Sequence, residues 1–95
     1  MIDKSDFAAL KILFSGEVQG VGFRFTARRI AADFSVTGYV KNLNNGKVEV
    51  WAEGPSEEIE RFVRSLERAF SGYIRNVERV EAAPTKSYDS FDIDF

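Results

Sequence analysis

The stretch Gly16-Glu17-Val18-Gln19-Gly20-Val21-Gly22-Phe23-Arg24 carries the strongest chemical signal in the chain. Its glycines tolerate backbone angles that other residues avoid, so a short loop here can turn several N–H groups toward one point. Apolar periodicity puts a strand before it and a helix after it, and a helix N-terminus reached this way suits a phosphate or a carboxylate. Arg24 falls in the first helical turn and adds a forked, permanently charged donor. The loop is not a Walker loop, because Val21 and Gly22 stand where Gly and Lys would be needed. Nor is it a dinucleotide fingerprint, because Phe25 replaces the third glycine. Taken alone, the same residues fit a tight strand-to-helix turn with a solvated Arg24 equally well.

Asn42 is the second candidate. Asparagine is disfavoured in strands, yet this one ends a strand-like run. Its carboxamide accepts and donates at once and can hold a water in one orientation, although it also fits the start of an Asn-rich turn. Arg28, Arg29 and Lys41 add positive charge nearby, the two arginines reading equally as solvated helix residues. Asp92 and Asp94 share one strand face but have no following loop to complete a metal or phosphoaspartate site.

The rest of the composition narrows the chemistry. The chain has no histidine and no cysteine, which removes the usual general base, thiolate chemistry, disulfides and the commonest transition-metal ligands. A net charge of -2 argues against a broad basic face for nucleic acid. No apolar run approaches the ~20 residues of a membrane span, and residues 1–7 lack the apolar core of a signal peptide. Ninety-five residues make one core, and 44% hydrophobic content with nine phenylalanines can fill it.

The elements that must position the candidates follow from periodicity. Leu10, Ile12 and Phe14 alternate as a strand; Phe23, Ala27, Ile30, Ala31 and Phe34 form a helical stripe. Tyr39 to Leu43 and Lys47 to Glu53 flank Asn44-Asn45-Gly46, which predicts an antiparallel pair joined by a type I′ turn. Gly54 as cap and Pro55 as first helical residue predict a helix buried through Ile59, Phe62, Val63, Leu66 and Phe70, with Gly72 as its stop. Glu57–Arg61 and Glu60–Arg64 are spaced for i,i+4 pairs on its wet side. Trp51 is expected on the sheet face away from the helices, partly covered. In a strand over Asn76 to Ala82, Val77 and Val80 lie three apart, which implies a bulge or a register error. Phe91, Ile93 and Phe95 alternate in a last short strand. The order is βαββαβ with a terminal strand: an α+β, ferredoxin-like split βαβ sandwich, its antiparallel sheet of four to five strands covered on one face by two helices. Residues 1–7 read as an extension and residues 8–95 as the single domain.

From about Ala8 to Phe95 the chain resembles the acylphosphatase family. Residues 16–24 are similar to that family's phosphate loop with its catalytic arginine; Gly38-Tyr39-Val40-Lys41-Asn42 is similar to its second signature, continued by Gly46-Lys47-Val48-Glu49. The resemblance implies hydrolysis of acyl phosphates to a carboxylate and inorganic phosphate, without metal or other cofactor. Arg24 and the loop amides of Glu17, Val18, Gln19, Gly20, Val21, Gly22 and Phe23 would hold the phosphoryl group, and Asn42 would orient the attacking water. The implied partner is a small acyl phosphate, with inorganic phosphate as product and competitive inhibitor, and with no nucleic acid or membrane involved. A cytoplasmic monomer is expected. The chain departs from the family pattern at Glu17, often basic; at Ser35, commonly Gly, where a left-handed turn would cost about 1 kcal/mol; and at Tyr39, more usually Trp. Two other readings stay open: a non-catalytic module binding an anion such as carbamoyl phosphate, and a ferredoxin-like RNA binder, for which the paired strand aromatics are missing.

Overall fold

A computed structural model describes residues 6–95; of the expected extension 1–7, residues 1–5 lie outside the described residues. The elements run β1 (Phe7–Gly16), α1 (Phe23–Ala31), β2 (Thr37–Asn42), β3 (Val48–Pro55), α2 (Ser56–Ala69), β4 (Ile74–Ala82) and β5 (Phe91–Ile93). The strands form one sheet in the order β4-β1-β3-β2-β5. β3 is thus inserted between the parallel-running β1 and β2, which is the split βαβ arrangement expected from the element order.

Alternation decides which face meets the helices. Ile12, Phe14, Val40, Val48 and Val50 project to one side and are fully buried against α1 and α2. The α2 stripe is the expected one: Ile59, Phe62, Val63 and Leu66 are buried, and Phe70 completes it at the C-cap. Phe23 is wedged between Phe14 (5.1 Å between ring centres) and Phe70 (4.4 Å). Burying a side chain of that size contributes roughly 1.5–3 kcal/mol, so the first turn of α1 is firmly seated.

Several local expectations are corrected. The last strand is not antiparallel: β5 pairs in parallel with β2, Gly38 opposite Phe91 and Val40 opposite Ile93. β4 finishes at the end of the sheet where β2 begins, so the chain crosses residues 83–90 and re-enters in the direction of β2. The hairpin turn is not type I′, which needs positive φ at two central residues. Only Gly46 has positive φ there, and its N–H donates to the Leu43 carbonyl (3.2 Å). Gly54 and Pro55 do not open α2. They end β3, opposite Ala8 and Phe7, because β1 starts early enough to hold them in the ladder, and Pro55 is the extended residue before the helix. Gly72 does not stop α2 either; the helix ends at Ala69 with Phe70 as C-cap, and Gly72 lies in the following turn.

Glu57 pairs with Arg61 as expected (3.2 Å), but Glu60 pairs with Arg79 on β4 rather than with Arg64. Val77 and Val80 need no bulge between them. Val77 lies opposite Phe14 on the helix side and Val80 opposite Lys11 on the other; the register shift sits between Ser15 and Gly16. Ser35 avoids the left-handed cost, since Lys86 is the one non-glycine with positive φ among the described residues, and the Ser35 N–H donates to Glu58 (2.9 Å).

The open face of the sheet carries a feature the sequence did not advertise. Glu53 is 1% exposed beneath the crossing segment. Its carboxylate accepts from the Thr85 N–H and hydroxyl, the Lys86 N–H and the indole N–H of the half-buried Trp51, at 2.7–3.1 Å. Burial pushes the Glu53 carboxyl up, but the bonds from Thr85, Trp51 and Lys86 outweigh it and hold the group below its ordinary value. The carboxylate therefore fastens residues 83–90 across the sheet. A Glu53→Gln variant, with a donor turned into a ring of donors, should lose about 3 kcal/mol in urea denaturation at pH 7. Because the folded-state value is depressed, the wild-type advantage exists above the unfolded value and is lost as pH falls through the folded one. The gap between the two proteins should narrow as pH falls below the ordinary carboxyl range; a gap independent of pH would contradict this role.

Candidate active site

The candidates converge at the end of the sheet where β1 stops and β2 finishes. Val18 is fully buried and pins the loop between β1 and α1 into the core. Gly20 (φ 80°) and Gly22 (φ 78°) then take left-handed angles that bring the chain round to α1. No atom crowds a Cβ at either position, so it is backbone angle rather than space that requires glycine. Gly22 caps α1 without a side chain, its carbonyl accepting from the Thr26 N–H (3.0 Å). The amides of Val18, Gln19, Gly20, Val21 and Gly22 donate to no backbone carbonyl of the described residues. Phe23 opens the helix, where the N–H has no intrahelical partner.

Glu17 is different. Its N–H is taken by the Tyr73 carbonyl (2.9 Å), which leaves Val18 to Phe23 as the available donors. Its carboxylate is exposed and 3.8 Å from Arg75, so the charge is drawn toward a cation on β4. Such an exposed pair contributes little to stability, but it orients the side chain.

Phe23 packs inward, and the next residue, Arg24, is left at the mouth of the site. Its guanidinium carbon stands 5.1 Å from the centre of the Phe95 ring, close enough for a cation–π contact that restrains it. Asn42 is the last residue of β2, opposite Val48. Arg24 and Asn42 line one cavity of about 210 Å³ together with Val18, Gly20, Gly22, Phe23 and Phe25. The Asn42 Oδ1 itself is buried and has no hydrogen-bond partner. An orphaned buried acceptor costs about 1–3 kcal/mol.

Lys41 does not belong to this constellation. Being one residue from Asn42 on a strand, it faces the opposite side of the sheet, 3.9 Å from Glu49. Arg28 and Arg29 are exposed helix residues, Arg28 lying over the Phe25 ring. Tyr39 is also on the far face, where its hydroxyl donates to Glu49 (2.5 Å). Burial first, then that bond and the neighbouring negative charges, push its phenol well above the ordinary value, so it stays protonated. What sequence reasoning missed is the side chain of Gln19, treated there as one more loop residue. It leaves the loop and donates to the carbonyls of Leu43 (2.8 Å) and Lys47 (2.9 Å) in the β2–β3 hairpin.

A ferredoxin-like α+β sandwich in which a glycine-bearing strand-to-helix loop, one arginine and one asparagine line a single cavity defines a class of small domains with a site suited to an anion. Comparison with known proteins narrows the class. The acylphosphatase family model matches residues 10–93. An acylphosphatase of Archaeoglobus fulgidus is 40% identical over 86 residues, covering 90% of this chain and 96% of that protein. The crystal structure of an acylphosphatase from Bacillus subtilis is similar with a TM-score of 0.84 and 31% identity, over 93% of this chain and 99% of that one. A structure of full-length HypF in its phosphate- and nucleotide-bound form has a TM-score of 0.78 and 28% identity, covering 95% of this chain but 12% of the larger one. The chain belongs to the acylphosphatase family, and acyl phosphate hydrolysis is the activity that membership assigns to it.

Proposed function

We propose that this chain hydrolyses acyl phosphates with Arg24 and the amides of Val18 to Phe23 holding the phosphoryl oxygens and Asn42 orienting the water. The observation that carries the reading is that Arg24 and Asn42 line the same cavity. A water accepted there can be aimed at phosphorus from the side opposite the carboxylate leaving group. The P–O bond to the acyl group breaks as the new one forms, and the carboxylate leaves without needing a proton. The water's proton passes to a phosphoryl oxygen of the substrate, since no carboxylate or other side chain suited to act as a general base lines the cavity. Catalysis then rests on positioning and on donors matched to the developing charge, which is what phosphoryl transfer requires.

The same reading makes inorganic phosphate both product and competitive inhibitor. It also sets the chain in the cytoplasm as a monomer. Absence of cysteine fits a reducing compartment. No helix among the described residues is long and apolar enough to cross a membrane. The exposed edge strand β4 carries Arg75, Glu78, Arg79 and Glu81, charges that resist pairing with another chain.

The test is hydrolysis of benzoyl phosphate followed with and without EDTA, and with added phosphate. The expected result is an undiminished rate in EDTA and inhibition by phosphate that substrate overcomes. Activity lost in EDTA and restored by magnesium would contradict the proposal.

A further inference from the structure

We infer that the Gln19 side chain is a positioning residue for hydrolysis: it clamps the phosphate loop to the strand end that presents Asn42. The inference rests on the roles proposed above for the loop and Asn42. Both hydrogens of the Gln19 Nε2 are committed, one to the Leu43 carbonyl (2.8 Å) and one to the Lys47 carbonyl (2.9 Å). The side chain therefore has no donor left for an anion. Its partners lie 24 and 28 residues away in sequence, so the contact is tertiary and belongs to neither element alone.

The place of the contact matters. Leu43 follows Asn42 directly, and its own N–H donates to the Lys47 carbonyl (2.8 Å), while its carbonyl also receives the Gly46 N–H (3.2 Å). Gln19 thus bonds both carbonyls that close the hairpin, at the last rung before Asn42. Val18 anchors the loop to the core and fixes its height; Gln19 fixes its distance from β2. The phosphoryl group is held by the loop and the water by Asn42, so the Gln19 amide sets the distance between the two reactants. An error of that distance slows the reaction without loosening the anion, because the amides and Arg24 stay where Val18 and Phe23 hold them.

The experiment is a double-mutant cycle between Gln19→Met, which keeps the length and removes both donors, and Asn42→Ala. We measure kcat and KM for benzoyl phosphate and the affinity for inorganic phosphate. Gln19→Met is expected to lower kcat on the order of 10- to 100-fold, the size of a small misplacement of reacting groups, with phosphate affinity nearly unchanged. In the Asn42→Ala background the same substitution should have little further effect on kcat. Gln19→Asn keeps the donors on a shorter arm and should fall between wild type and Gln19→Met. It also serves if Gln19→Met does not fold. A loss of phosphate affinity matching the loss of kcat would overturn the clamp, and so would effects that simply multiply in the double variant. If Asn42→Ala alone retains wild-type kcat, the assignment of Asn42 fails and the clamp fails with it.

Discussion

Arg24→Ala is expected to abolish measurable hydrolysis of benzoyl phosphate while leaving the fold intact. The guanidinium is the one cationic side chain lining the cavity that Val18, Gly20, Gly22, Phe23 and Asn42 also line. In comparable phosphoryl-transfer sites a single arginine is worth about 10³–10⁵ in rate. The packing at this turn comes from Phe23, stacked on Phe70, so removing the neighbouring arginine takes away charge and leaves the aromatic contacts. Arg24→Lys should recover little, because one ammonium cannot offer two parallel donors to a phosphoryl group. Steady-state kinetics alongside thermal denaturation checks both halves. Full activity in Arg24→Ala would remove the basis for the active-site assignment.

Asn42→Ala is expected to lower kcat by about 10²–10³, the usual cost of losing one preorganised polar group at the reacting centre. KM should move far less, since the phosphoryl group has its own donors. Asn42→Asp discriminates more sharply. It keeps the shape and the acceptor but replaces the amide with a negative charge facing the incoming phosphate. If accepting from water were all that mattered, Asp would serve and could act as a base. Because an anion must enter the same 210 Å³ cavity, Asp should be as poor as Ala. An Asn42→Asp enzyme near the wild-type rate, with a new dependence on pH near the carboxyl range, would refute the role.

Much of this architecture is legible in the residue order. The alternation of Leu10, Ile12 and Phe14 and the α2 stripe each encode a local period, and local periods survive into the folded chain. Three of the misreadings occur where a distant partner overrules the local signal. Pro55 has the look of a helix start, but pairing with Phe7 keeps it in β3. Glu60 is spaced for Arg64, but β4 brings Arg79 closer. The parallel direction of β5 depends on which end of the sheet β4 reaches, and no feature of Phe91 to Ile93 records that.

The site shows the same division. Residues 16–24 and Asn42 stand out by type as candidates, but it is the family resemblance that joins them into one proposed site. That Glu17 spends its amide on Tyr73, that Lys41 faces away, and that Gln19 reaches the hairpin are consequences of tertiary placement. Glu53 is the clearest case. An acidic residue in a strand reads as solvent-facing, and only the crossing of Thr85 and Lys86 turns it into a buried fastening point.

The central claim is a division of labour: Arg24 and the loop hold the phosphoryl group, and Asn42 handles the water. Calorimetric titration of inorganic phosphate into wild type, Arg24→Ala and Asn42→Ala tests it most directly, because binding is measured without turnover. The expected result is that Asn42→Ala binds phosphate about as well as wild type while Arg24→Ala shows no measurable binding. Phosphate affinity lost to the same degree in Asn42→Ala, or kept in Arg24→Ala, would contradict the account.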